Sequence, residues 1–269
     1  MAKAQSTLLI ILGLVILVSL GIFLVYLNAS KQKTIISQDN PLSLEQQANQ
    51  IQSYVEECMS QISVPEIYII GQKGGYFDNA PYFGELGQSK IAYWYKDGED
   101  ISPGLGTIET NLANDLHDKF YSNCTKFETL ESLKGVTINK PAYEESITKV
   151  NISINDKDIQ IDFFYPMTIQ ISGTKKELDK FTIKQPVPLG ADYNLAKKIL
   201  EKAKNTTDYY SLSADCGYFS QIAQQTNVYY ANNIILLNDF TTFFDKKFGD
   251  AFQFRFMVSG LKVSGQCTG

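Results

Sequence analysis

ITKVNISINDKDIQIDF, residues 147–163, decides the fold class. Ile147, Lys149, Asn151 and Ser153 alternate with Thr148, Val150, Ile152 and Ile154. That period of two belongs to an extended strand with one buried face. Asn155-Asp156-Lys157-Asp158 is a run of turn formers, and Ile159, Ile161 and Phe163 resume the alternation, so the stretch reads as an antiparallel hairpin. Met167 opens a further short strand after Pro166, and residues 181–183 add another. An antiparallel meander of this kind turns its apolar face toward a helix layer.

Helices flank the meander. Ser43-Leu44-Glu45-Gln46 has the spacing of a capping box, and Ile51, Val55, Cys58 and Ile62 then recur on one helical face. Pro65 is expected to kink or restart this helix. Thr107 can cap a second helix, whose Ile108, Leu112, Leu116, Phe120 and Cys124 fall at intervals of four. After Pro186-Val187-Pro188 a third helix is expected over 192–204, with Leu195, Ile199 and Ala203 inward. Cys216 opens a short helical segment reaching Gln225. Strands are expected at 91–95, 228–231 and 234–237, with turns at Asp97-Gly98 and Asn232-Asn233, and Phe252, Phe254 and Phe256 alternate along a last strand. The fold class is α+β: an antiparallel sheet packed with amphipathic helices. Its helix-rich half covers residues 43–140 and its strand-rich half 141–269.

Ahead of this mass, Leu8 and Leu27 bound twenty residues without a charge. A bilayer core of about 30 Å needs about 20 apolar residues in helical form. Residues 1–30 therefore read as a segment with a transmembrane helix, partnered by the lipid bilayer, and 31–42 as a polar tether. The run is longer than the apolar region of a signal peptide, and Leu27-Asn28-Ala29-Ser30 is a poor cleavage site, which favours a retained anchor. Lys3 on one side and Lys31 and Lys33 on the other leave the positive-inside rule nearly silent.

Orientation rests on the cysteines. Cys58, Cys124, Cys216 and Cys267 are far apart, and none forms a CxxC pair. Four cysteines beyond a membrane leader favour two disulfides in an oxidising compartment, with three connectivities open. The preferred pairing joins Cys58 to Cys124, since each lies on the apolar stripe of a helix, and Cys216 to Cys267, one bridge in each half. Four buried thiols in a cytosolic domain are the alternative. Asn123, Asn151 and Asn205 head Asn-x-Ser/Thr sequons and are candidate glycosylation sites; Asn28 heads a fourth, too near the bilayer to be a good acceptor. The soluble part is placed outside the cell membrane.

Composition excludes some functions. A net charge of −5 argues against nucleic acid and against a polybasic grip on lipid. Residues 71–75, GQKGG, lack the order of a phosphate loop and read as a helix-ending turn. Asp97, Glu99 and Asp100 miss the spacing of a calcium loop and read as a solvated turn. Trp94 and its neighbouring tyrosines could stack on a sugar, but aromatic strand residues are more often core. His117 is the only histidine, with no second ligand for a metal and no Ser or Cys partner in sequence. Glu56, Glu57, Asp97 and Asp162 are the scattered carboxylates a hydrolase would have to gather. No catalytic residue, metal site or cofactor is assigned.

Two resemblances add to this. Tyr54-Val55-Glu56-Glu57-Cys58, followed by the turn ending Gly74-Gly75-Tyr76, is similar to uncharacterised single-pass surface proteins of small-genome archaea, which pair a helical Y-x-E-x-C with G-x-x-G-G-Y. The resemblance implies an exported domain with that helix packed on a sheet, and no activity. Lys3-Ala4-Gln5-Ser6, running into the apolar helix, resembles the signal of archaeal type IV pilin-like proteins, which implies processing between Ala4 and Gln5. The glutamate usual five residues into such a mature chain is here Leu9, and the tether breaks the continuous helix of a pilin. The leading expectation is a non-enzymatic cell-surface protein for binding, adhesion or surface assembly with an unknown protein or surface polymer. A pilin-like subunit comes second and a membrane-bound hydrolase third.

Overall fold

The computed structural model of the protein describes residues 43–127, 136–140, 148–171, 173–206, 209–222, 226–243 and 251–268. The apolar run 8–27, the Ala4–Gln5 junction and the tether lie outside them. Among the described residues no helix is long and apolar enough to cross a membrane. The fold from Leu44 onward is α+β, with antiparallel-rich sheets and helices.

Helix α1 spans Leu44–Gln72 and buries Ile51, Val55, Met59, Ser63, Ile67 and Ile70. Cys58 and Ile62, expected on the centre of that stripe, sit half-buried at its margin. The helix also runs through Pro65, with no restart. Proline removes an N–H, here the one that would bond the Gln61 carbonyl, and crowds the preceding turn; the neighbouring Ser60 makes bonds beyond the helix ladder. The Ser60 carbonyl accepts from Ser63 Oγ at 3.2 Å and from Gln185 Nε2 at 3.1 Å. Gln185 Nε2 also donates to Ser63 Oγ at 2.9 Å. The helix ends in the expected turn: the Gly75 N–H bonds the Ile70 carbonyl at 2.8 Å, and Gly74 and Gly75 take φ of +75° and +90°. Such angles favour glycine, and a Cβ on Gly74 would meet the Arg255 carbonyl at 2.9 Å.

Strand β2 (Ser89–Lys96) contains the expected strand 91–95, β1 (Phe83–Leu86), which the sequence did not suggest, pairs with it as a hairpin, and β3 (Glu99–Asp100) follows through Asp97-Gly98. Helix α2 (Leu105–Cys124) buries all five residues of the expected stripe, Ile108, Leu112, Leu116, Phe120 and Cys124. Its N-cap is Gly104 and not Thr107, which lies inside the first turn.

Strands β4 (Val136–Asn139), β5 (Lys149–Ile154), β6 (Ile159–Ile171) and β7 (Thr174–Gln185) form one antiparallel sheet. The sequence reading divides β6 at Pro166; the strand is continuous. β5 pairs with β6 up to Phe164, and β4 pairs with it from Thr168. Pro166 occupies the gap between them, beside a register shift against β7, where the ladder asks no N–H of it. The inward face lies on the helices, with Phe163 edge-on to Phe120 at 5.7 Å.

Helix α3 (Leu189–Asn205) starts earlier than the sequence reading and buries Leu195, Ile199 and Ala203 as expected. Next come β8 (Tyr210–Ser211), a single 3₁₀ turn at Leu212–Asp215, and α4 (Cys216–Ile222). β9 (Thr226–Ala231), β10 (Ile234–Phe243), β11 (Ala251–Val258), β12 (Val263–Ser264) and β13 (Gln266–Cys267) complete the chain. The large sheet has the order β1-β2-β11-β10-β9-β13. Asn232 and Asn233, at φ of +53° and +65°, make the expected two-residue turn between β9 and β10. The meander reading did not foresee two parallel pairings, β2 with β11 and β8 with β12. Both join strands far apart in the chain, so no hairpin imposes a direction. Trp94, fully buried, stacks on Phe256 at 4.6 Å and meets Phe254 and Tyr193 edge-on. It is core, as the strand reading favoured.

Candidate functional site: a tyrosine-lined groove

Both preferred disulfides are present, Cys58–Cys124 with Cα atoms 5.5 Å apart and Cys216–Cys267 with 5.3 Å. The first staples α1 to α2. The second ties the start of α4 to β13 at the edge of the large sheet.

That second bridge borders an open groove on the outer face of α3. The helix turns its apolar residues inward, which leaves Asn194, Lys198, Glu201 and Asn205 exposed along the opposite side. Two depressions, of about 630 and 500 Å³, lie along this side and share Lys198, Glu201 and Tyr218. Tyr209 and Tyr218 are 56% and 39% exposed, high for rings of this size. Tyr209 precedes β8, where the buried Tyr210 donates its N–H to the Lys262 carbonyl at 2.8 Å. Tyr218 sits two residues beyond bridged Cys216, with Lys202 Nζ over its ring at 4.5 Å from the centroid. Short elements fixed by a strand pairing and a disulfide therefore hold both tyrosines.

The charges along the groove are already matched. Asp100 accepts from Lys204 at 3.0 Å, Ser102 Oγ at 2.5 Å and Lys197 at 3.5 Å. Burial alone would raise its carboxyl, but these donors outweigh burial and hold it at about 2. Asp97 and Asp100 are both exposed, as the turn reading expects, and Asp100 differs in the number of donors it gathers. Lys202 and Asp215 pair at 2.7 Å, which lowers the Asp215 carboxyl, and the Tyr210 hydroxyl donates to Asp215 at 3.0 Å. Lys198 and Glu201 pair at 3.3 Å.

The other candidate residues scatter. Glu56 accepts from Gln52 and Glu57 from Gln61, both on α1. Asp162 lies on β6 among Thr182, Lys180 and Gln160; burial raises its carboxyl and these donors more than reverse that. Asn123 is exposed at the end of α2 and donates to the Lys119 carbonyl at 2.9 Å; Asn151 is exposed on β5; Asn205 lines the groove. Among the described residues no three His, Cys, Asp or Glu side chains converge as metal ligands.

One constellation escaped the sequence reading. His117 Nδ1 lies 3.0 Å from Asp118 Oδ1, and Nε2 lies 2.8 Å from Thr148 Oγ1 and 3.1 Å from the Thr148 carbonyl. These are the contacts of a hydroxyl–imidazole–carboxylate string. Thr148 itself is 1% exposed and its carbonyl competes with its hydroxyl for the same nitrogen, while the string borders an open depression of about 460 Å³ lined also by Asn114, Lys149 and Asn151. The string fastens the residue just before β5 to α2. Nothing local signals it, because Thr148 is remote in sequence and meets His117 only through the α2–β5 contact.

Comparison with protein families, with curated proteins and with solved structures returns no match. The groove brings two exposed tyrosines to one open depression, with Lys202 over the ring of Tyr218, and it is the candidate developed below.

Proposed function

We propose that the protein is a single-pass, membrane-anchored cell-surface protein whose disulfide-closed domain stands outside the membrane and binds a surface polymer or protein, with no catalysis of its own. The observation that carries this reading is the pairing of all four cysteines into two disulfides. Such bridges persist in oxidising compartments and are rare where thiols are kept reduced. The uncharged run 8–27 supports an anchor, the polar stretch 31–42 supports a tether, and the similarity to archaeal single-pass surface proteins agrees with both.

Protease added to intact cells tests it. The domain is expected to be shaved from whole cells, and unreduced peptide maps are expected to join Cys58 with Cys124 and Cys216 with Cys267. A domain digested only after lysis, or four free thiols in protein from native membranes, overturns the reading. Lys3-Ala4-Gln5-Ser6 favours one second reading, a pilin-like subunit: N-terminal mass spectrometry finding a chain that begins at Gln5 would support it, and an intact Met1 would remove it.

A further inference from the structure

We propose that the α3 groove is a saccharide-binding site and that its ligand is an uncharged polysaccharide, seated on the rings of Tyr209 and Tyr218. This rests on the surface-binding reading above and names its ligand class.

Three observations carry it. First, the two exposed tyrosines line one depression of about 630 Å³, beside elements fixed by a strand pairing and a disulfide, with Lys202 over the ring of Tyr218. A pyranose ring carries C–H groups on its faces and hydroxyls round its rim, so it needs a flat aromatic surface beside polar groups. Tyrosine offers such a surface with a polar tip and few rotors to freeze. Secondly, the polar rim can donate and accept: Asn205, Thr206 and Ser211 line the same depression, and Asn194 lines the adjoining one. Thirdly, the charges point to a neutral ligand. Lys197, Lys198, Lys202 and Lys204 each already meet a carboxylate, of Asp100, Glu201 or Asp215. An anionic chain would have to displace those carboxylates, whereas hydroxyls can share the paired groups without breaking them.

A peptide fits the lining less well. Ala214 is the only aliphatic residue among those lining either depression, whereas peptide sites are built on apolar pockets or a free strand edge. Asn205, a sequon asparagine, stands on the same rim, so a glycan attached there would reach the same rings as a tethered competitor.

The test uses the full chain in lipid nanodiscs, made in a host without N-glycosylation so that Asn205 is bare. Binding of neutral glucan, mannan and galactan oligosaccharides is measured by calorimetry, at low and high salt. We expect binding of at least one series, insensitive to salt, weakened at least tenfold in the Tyr209→Ala/Tyr218→Ala double variant and kept in Tyr209→Phe/Tyr218→Phe. Unreduced disulfide maps and circular dichroism confirm that the variants are folded. Three results overturn the assignment: no binding to any neutral series, undiminished binding by the alanine double variant, or binding of acidic polymers alone that vanishes with salt. A protein partner whose capture needs the tyrosines, with every saccharide inert, also overturns it while sparing the surface-binding reading. Failure of that broader reading shows separately, as protection from protease in intact cells.

Discussion

Asp192 is the residue most out of keeping with its surroundings. It lies in the first turn of α3, fully buried, with Asp239 also buried nearby. Thr226 Oγ1 lies 3.0 Å from Asp239 Oδ2 and 3.5 Å from Asp192 Oδ1. A hydroxyl has one hydrogen, so it can serve only one carboxyl, and Asp192 Oδ2 has no hydrogen-bond partner. Burial first, and the charge of Asp239 second, push the Asp192 carboxyl well above the usual carboxylate range. The folded protein thus holds a proton that the unfolded chain releases. Its contribution to stability is complete below the ordinary carboxylate range and is lost as pH rises through the raised value. Asp192→Asn keeps the shape and never ionises. We expect it to match the wild type near pH 4 and to exceed it at pH 8, by roughly 2–4 °C in Tm for each kcal/mol of relieved charge burial. Thermal melts at both pH values check this; a variant less stable at pH 8 than at pH 4, relative to wild type, would contradict it.

At the scale of elements, the helix-stripe and strand-alternation rules worked where neighbours in sequence are also neighbours in space. The α2 stripe and the alternating phenylalanines of β11 are buried as read. At both prolines the element runs on where the sequence allowed a break, because sequence shows the missing N–H but not whether the surroundings ask for it. In the turn before Pro65, Gln185, 5% exposed at the end of β7, bonds through its amide to Ser60 and Ser63. Gln185→Leu removes these bonds and sets an apolar chain against two polar groups. The expected cost is about 2–3 kcal/mol, read from urea unfolding midpoints at unchanged slope. An unaltered midpoint would mean that these bonds do not help fasten α1 to β7. The groove was half legible in the same sense. Its helix face, its sequon and Cys216 stand in the sequence, but the meeting of Tyr209 with Tyr218 depends on how β8 and α4 turn back on α3.

Over the whole molecule, the two bridges close loops of 66 and 51 residues. On the chain-entropy account, loops of this length stabilise by about 4 kcal/mol each through the unfolded state. Cys58→Ala/Cys124→Ala is expected to lose about 2–4 kcal/mol and to retain the fold, since α1 and α2 stay joined by their core and by Lys119, which pairs with Glu66 on α1 at 2.7 Å. Urea unfolding of the double variant against the oxidised and reduced wild type measures it. A double variant as stable as the oxidised parent would remove the stapling role.

By itself the sequence determined the class of fold, the number and main buried faces of the helices, and the two asparagine- and glycine-rich turns. All of these follow from spacing along the chain, because a helix or hairpin repeats on a scale of a few residues. Tertiary structure alone decided the parallel pairing of β2 with β11, the continuity of α1 and β6 through their prolines, the string of Asp118, His117 and Thr148, the burial of Asp192, and the groove. Each of these joins groups remote in sequence, whose distance is set only when the sheets close on the helices.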